Sequence, residues 1–410
     1  MKILQLIKNK SIPSFCTSNE EVLNTIIFYC KRKNLPCLIE STSNQVNQYG
    51  GYIGKTPIDF YTDLKKILKK NNFNSQNLYV GGDHLGPLPW KNKNGKIAMN
   101  NSIKLINKCL DSKYTKIHVD TSIKCSNENS INHSIIFDRT KYIIEKSKLK
   151  KNLKKIFLII GTEVPLSGSN EKGKIKLTQE KQIILEVKKF RDLLKKFYKK
   201  KLKFGLVVEP GMRFMHYNIL SPNFSKFTEK KRISQKNNFI YEAHSTDYQP
   251  VNILKGLVKN NFKFLKVGPE LTYNYSRSLF FMENIEKKNF KNSLSNIKKK
   301  ILLTMLKDKK YWKGYYLGNK SKIKKLILNS KLDRMRYYLN KNNVILSMTK
   351  LKKNINSISA DKLVKYLQSK NYKIPSNKQL FKKLSNFDLV KFIFISDSLN
   401  RYYKACGFKV

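Results

Sequence analysis

No stretch of this chain is apolar for long enough to cross a membrane. A spanning helix needs about 18 or more consecutive apolar residues, and no run approaches that. The amino terminus, MKILQLIKNK, starts apolar, but Lys8 and Lys10 interrupt it too early for a secretory signal. The cysteines (Cys16, Cys30, Cys37, Cys109, Cys125 and Cys406) form no CxxC pair and no zinc-finger spacing. A reducing compartment is expected, which places the chain in the cytoplasm. Acidic residues are scarce, 28 against 83 Lys+Arg, for a formal charge of +55. Such an excess fits a polyanion partner. However, it is mostly lysine, scattered, and accompanied by abundant Asn and Ile, as A/T-rich codons would produce. No nucleic-acid motif accompanies it, so nucleic acid is not an expected partner.

The 410 residues, 40% hydrophobic and 11% aromatic, suffice for a large core. Eight short runs rich in Val, Ile, Leu and Phe recur: Ser11–Ser18, Cys37–Ser43, Leu78–His84, Lys116–Ser122, Ile156–Glu163, Phe204–Pro210, Phe239–Ser245 and Phe264–Pro269. They have the character of buried parallel strands, and their spacing leaves room for a crossover helix after each. Between them, Ile183, Val187, Phe190, Leu194 and Phe197 repeat with helical period among lysines, as do Leu64, Ile67 and Leu68. Eight alternations predict an α/β fold, a (β/α)8 TIM barrel, over residues 1–275. An open doubly wound sheet is the alternative. Residues 276–410 are predicted to form a mostly helical extension, with helices at Ile297–Leu306, Lys322–Leu328 and Leu389–Tyr403. The Gly/Ser-rich loop Leu166–Lys174 is either a lid or an ordinary surface loop.

The strand-like runs end on polar groups: Cys16, Glu40, Asp83 with His84, Asp120, Glu163, Glu209, His244 and Lys266. In a barrel these ends share one face, where active sites lie. Strand alternation sends His118, Asp120 and Ser122 one way, and likewise Glu242 and His244. Gly81-Gly82-Asp83-His84-Leu85-Gly86-Pro87 combines close backbone approach with an acid/base beside a metal-ligand type; a Gly-rich turn with an Asp cap is the competing account. His244 and His216 have nearby carboxylates that suit metal ligation, although a lone histidine is more often structural. His118, inside a strand, reads as a core or supporting group, and His133 as a loop residue without a role. Asn44, Gln45 and Asn47 offer the paired donors and acceptors that sugar hydroxyls need, or belong to a solvated loop. Lys266 and Gly268, at the last strand end, suit a phosphate, or Lys266 pairs with a strand-end carboxylate; a Schiff-base role is chemically open.

The segments IESTSNQVNQYGGYIGKTP, GGDHLGP, KIHVDTS, GTEVP, EPGMRFMH, YEAHSTDYQ and KVGPELT occur in an order that resembles the GatZ/KbaZ family of D-tagatose-1,6-bisphosphate aldolase accessory subunits. The resemblance continues through Tyr311–Tyr316, Leu332–Tyr338 and Arg401–Cys406 and covers essentially the whole chain. Glu209 departs from it, since Gln is common there, as does Leu88-Pro89-Trp90. The resemblance implies a barrel like that of class II aldolases. It also implies a non-catalytic subunit on which the catalytic aldolase subunit depends for activity and stability in tagatose, galactitol or amino-sugar catabolism. Partners would be that class II aldolase subunit and a sugar phosphate, which the positive field would help to gather. The alternative is a metal-dependent ketose-phosphate 4-epimerase interconverting fructose 6-phosphate and tagatose 6-phosphate, with Asp83 moving a proton. By analogy with class II aldolases, His84, His216 and His244 are expected to ligate a divalent ion, zinc by donor type. Glu163 would join or support them, Asp120 and Ser122 would meet substrate hydroxyls, and Lys266 and Gly268 the phosphate.

Overall fold

The structure is a computed structural model that describes residues 2–161, 177–198, 202–372, 374 and 383–410. Eight parallel strands close into a barrel: β1 (Ile12–Cys16), β2 (Cys37–Thr42), β3 (Leu78–Leu85), β4 (Lys116–Asp120), β5 (Phe157–Gly161), β6 (Gly205–Val207), β7 (Ile240–Ala243) and β8 (Phe262–Val267). Each strand pairs with its neighbour in sequence, and β8 closes onto β1 through Ile12↔Phe264 to Phe15↔Val267. Each of the eight runs expected from the sequence overlaps one of these strands; six contain theirs, while β3 ends one residue beyond its run and β8 begins two residues before its run. The open-sheet alternative is excluded by the closure.

Connecting helices cover the outside. Their starts are written locally: Asn19 accepts from the Val22 amide at the start of helix Glu20–Lys33, and Thr56 and Asp59 form a reciprocal capping box on helix Pro57–Lys70. The lumen is layered by the two-residue alternation of the strands. At the bottom, Ile12, Leu38, Phe157, Ile159, Val207, Ile240 and Phe264 pack with Ile3 and Ile7 of the amino-terminal helix Lys2–Asn9, which plugs the barrel. Two residues further along their strands stand Glu40, Glu242 and Lys266. The next step brings His118, Asp120 and His244 to the mouth.

After Val267 the described chain is helical. Helices Ile297–Lys307, Lys320–Asn329 and Asn386–Ala405 match the three expected ones. Helix Pro269–Asn289 runs through residue 275, so the passage from barrel to extension lies inside one continuous helix. The last helix packs against Glu20–Lys33, Val251–Lys259 and Pro269–Asn289. Tyr402 donates to the Thr246 carbonyl (2.6 Å) and Tyr403 to the Pro36 carbonyl (2.7 Å). No described helix is long and apolar enough to cross a membrane.

Candidate metal centre and ligand cavity

Consecutive strand residues normally face opposite sides of a sheet, yet Asp83 and His84 both reach the mouth of this barrel. The pairing of β3 with β4 shifts register between Gly82 and Leu85, and His84 has a left-handed backbone (φ 47°). A bulge of this kind re-aims a side chain, and a non-glycine residue at such an angle costs about 1 kcal/mol or more. Gly86 lets the chain leave the bulge: a Cβ there would overlap the Asp120 carbonyl oxygen.

Three imidazoles meet at this point. Ring centroids are 5.0 Å apart for His84–His118, 4.9 Å for His84–His244 and 5.1 Å for His118–His244. Donor atoms from Asp83, His84, His118 and His244 all lie within 4.8 Å of one another. Three imidazole nitrogens placed about 2.0–2.1 Å from one ion at tetrahedral angles would put the ring centres roughly 5 Å apart, so the spacing fits. Each ring is also held by a carboxylate through one nitrogen. His84 Nδ1 is 2.8 Å from Asp120 Oδ2, His118 Nδ1 is 2.8 Å from Asp83 Oδ1, and His244 Nε2 is 2.9 Å from Glu242 Oε1. The opposite nitrogen of each ring remains for a ligand, the arrangement that orients metal-binding histidines. His118 Nε2 is buried and has no hydrogen-bond partner among the described residues. The His84 amide also approaches His118 Nδ1, at 3.3 Å; the shorter contact to a carboxylate places the proton on Nδ1. The donor set and spacing fit a divalent metal.

Beneath the histidines lies a buried ionic layer. Lys116, with no solvent exposure, bridges Glu40 (2.5 Å) and Glu242 (2.6 Å). Lys266 contacts Glu40 (2.7 Å), Glu242 (3.1 Å) and Asp83. Burial pulls the Lys266 ammonium down, but Asp83, Glu242 and Glu40 outweigh it and hold it well above the usual lysine value. Its ammonium is thus already engaged by three carboxylates. Burial likewise opposes ionisation of Asp83, but His84, Lys266 and His118 together keep it well below the carboxylate range. Burial, then the Lys266 charge, pushes His244 down to about 3 against the pull of Glu242. Burial lowers His118 as well. For His84 the effect of burial is overcome by Asp83 and Asp120, which raise it.

Above the histidines is a cavity of about 260 Å³, lined on the barrel side by Asn44, Gln45, Asp83, His84, Asp120, Ser122, His244, Lys266 and Gly268. Asp120 accepts from the Ser122 hydroxyl (2.6 Å) and amide (3.0 Å). Two expected residues are placed elsewhere. His216 is not in the cluster: it follows the two-residue strand Arg213–Phe214, bonds Ser330 Oγ through Nδ1 (2.8 Å) and packs against Tyr217 and Tyr316. The imidazoles that meet are therefore His84, His118 and His244, and not the expected set of His84, His216 and His244. Asn47 turns into its own loop, donating to the Ser43 carbonyl and accepting from the Tyr49 and Gly51 amides, and does not line the cavity. Glu163 and the loop Leu166–Lys174 lie outside the described residues. The sequence reading missed Tyr315, Arg334, Arg336 and Tyr337, which line the cavity from the extension; their signal was the Tyr311–Tyr316 and Leu332–Tyr338 segments of the resemblance.

The model of the family described as D-tagatose-1,6-bisphosphate aldolase subunit GatZ/KbaZ-like matches residues 4–407. The chain belongs to this family. D-tagatose-1,6-bisphosphate aldolase subunit GatZ of Escherichia coli O1:K1 / APEC is 32% identical over 342 residues, 80% of each chain. Its counterpart in Salmonella paratyphi B (strain ATCC BAA-1250 / SPB7) is 30% identical over 364 residues, 85% of each. Among solved structures, a probable tagatose 6 phosphate kinase from Sinorhizobium meliloti 1021 superposes with a TM-score of 0.83 at 26% identity, covering 97% of this chain and all (100%) of that one. A fructose-bisphosphate aldolase from Campylobacter jejuni has a TM-score of 0.50 at 14% identity, covering 85% and 93%, a likeness of fold alone. The match takes in the barrel and the helical extension together.

Proposed function

We propose that this chain is the accessory subunit of a class II D-tagatose-1,6-bisphosphate aldolase and supports a separate catalytic subunit. The family match from residue 4 to residue 407 carries the reading, because it spans the extension as well as the barrel. The relatives' names favour this subunit role over the 4-epimerase alternative. The test is co-purification with the class II aldolase catalytic subunit of the same organism, followed by tagatose-bisphosphate cleavage with and without this chain. Stable association and a more active, longer-lived aldolase are expected. An aldolase that is equally active and stable alone, with no association, ends the proposal.

The same reading includes a divalent ion, zinc by donor type, held by His84, His118 and His244 with Asp83 beside them. The orphaned His118 Nε2 and the three carboxylate-held rings support it. Such an ion would act as a Lewis acid toward a carbonyl or hydroxyl oxygen. Asp120 and Ser122, with Asn44 and Gln45 across the cavity, would hold polyol hydroxyls, and Asp83 stands as the ionised group beside the ion. Elemental analysis of the purified protein checks it. About one ion per chain is expected in wild type and His216→Ala, and loss in His118→Ala and His244→Ala with the fold retained. Equal metal content in all four would overturn the site.

A further inference from the structure

Arginines that line a cavity are usually paired with carboxylates, since an unpaired buried charge is costly. Arg401, on the last helix, follows that rule and contacts Glu270. Arg334 and Arg336, in the short turn Arg334–Tyr337 of the extension, do not: neither forms a salt bridge among the described residues. Asp333, their neighbour in sequence, accepts from Thr272 Oγ1, and burial pushes its carboxyl up to about 7 against the pull of Arg336 and, more weakly, Arg334.

Both guanidiniums are fixed in place. Arg334 is 8% exposed and lies 3.2 Å above the Tyr315 ring centre, and its Nη1 donates to Tyr337 (3.3 Å). Its Nε is buried without a hydrogen-bond partner among the described residues. Stacking occupies the face of a guanidinium and leaves its edge for planar donation. Arg336 Nη1 donates to the Leu332 and Asp333 carbonyls (2.7 Å each), and Nη2 to Tyr337 (3.2 Å). The surplus positive charge is felt locally. Burial alone would raise the Tyr337 hydroxyl, but Arg336 and Arg334 draw it below its ordinary value.

We propose that Arg334 and Arg336, with Tyr337, form an oxyanion subsite for the phosphate of a small polyol phosphate, whose hydroxyl end lies toward His84, Asp120 and His244 in the same cavity. Two fixed guanidiniums that form no salt bridge among the described residues, though Asp333 lies near enough to be felt by both, match a group with three acceptor oxygens. Lys266, the barrel's own candidate for this task, is already surrounded by three carboxylates. The anion anchor therefore comes from the extension. The cavity of about 260 Å³ has room for a small polyol phosphate. The proposal deepens the cavity's reading as a ligand site but depends neither on a bound metal nor on the aldolase partnership.

The test titrates full-length protein with inorganic phosphate by calorimetry, with chelator present so that no divalent ion takes the phosphate. Because the chain carries a formal +55, Lys362→Met on an exposed helix serves as a charge-matched control. One saturable site is expected in wild type and in Lys362→Met, weakened roughly tenfold or more in Arg334→Met and Arg336→Met, as loss of charged hydrogen bonds implies. A second arm with glycolate, a carboxylate, distinguishes the ligand: tighter binding of glycolate than phosphate would overturn the phosphate assignment. Unchanged affinity in both arginine variants, or only non-saturating uptake, would overturn the subsite. Should either variant fail to fold, arginine Nε–Hε resonances of wild type decide. Shifts of two such signals on phosphate addition, absent from Arg334→Lys and Arg336→Lys, support the subsite, and no shift refutes it. A co-purification failure with the aldolase leaves these readouts untouched, so the two proposals fail separately.

Discussion

Gly86 and Asp247 are single residues whose surroundings leave little choice. The Cβ of Gly86→Ala would meet a backbone oxygen rather than a side chain that could move. The variant is expected to lose about 2–4 kcal/mol, in the range of overpacked sites and strained backbone, measured as a lowered urea midpoint. Asp247 accepts from the Gly268 and Glu270 amides (2.9 Å each), while burial and then the Glu270 charge raise its carboxyl to about 7. An unfolded aspartate titrates near ~3.9. Between those values the folded chain holds a proton that the unfolded chain has released, so this group's contribution falls as pH rises from about 4 to 7. Asp247→Asn keeps the acceptor and removes the ionisation. Relative to wild type, its unfolding free energy should gain about 1–3 kcal/mol at pH 8 and nearly nothing at pH 4; a constant difference across pH would refute the assignment. His118 shows the limit of reading one residue. Alone in a β-rich run it looks like core, and its sequence does not say that a bulge in β3 will carry Asp83 and His84 to it.

At the scale of elements, strand alternation made much of the mouth legible. The spacing of His118, Asp120 and Ser122, and of Glu242 and His244, put them on one face, and the barrel turned that face inward. His216 could not be placed this way. It belongs to a hairpin of two-residue strands outside the barrel, Arg213–Phe214 with Ile219–Leu220, where no extended alternation exists to aim it. The last helix is pinned by Lys391, fully buried and paired with Glu21 and Asp388 (2.8 Å). Lys391→Ala leaves two carboxylates facing a void. Breaking a wholly buried pair costs about 3–5 kcal/mol, and the partial exposure of both acids reduces the expectation to about 1–3 kcal/mol. Hydrogen exchange should show faster opening of Asn386–Ala405 than of the barrel strands; uniform exchange would count against a local pin.

Across the whole molecule, the extension completes the barrel. Tyr402, Tyr403, Leu399 and Ile395 of the last helix are buried where it packs on the rest of the molecule. A chain ending at residue 384 would uncover apolar helix faces and the Thr246 and Pro36 carbonyls. It is expected to bind a hydrophobic dye and lose its cooperative melt, and a sharp, unshifted melt would show the barrel to be self-sufficient. The formal charge of +55 acts at the same scale. Like charges repel in the compact state and salt screens them, with a Debye length near 10 Å at about 0.1 M. Raising sodium chloride from about 20 to about 200 mM should therefore raise the melting temperature; a fall would mean that specific ion pairs outweigh the net repulsion.

The sequence by itself determined the alternation of strand and helix, the inward period of each strand and the helical character of the extension, because these are local patterns of side-chain size and polarity. It also carried, in whole segments, the family. The tertiary structure alone decided which histidines meet. That depends on a register shift in β3 and a left-handed backbone at His84, set by the pairing with β4 and invisible in β3 alone. It likewise decided that Arg334 and Arg336, about seventy residues beyond the last strand, would line the mouth, since only the packing of the extension on the barrel brings two separate stretches of chain to one cavity.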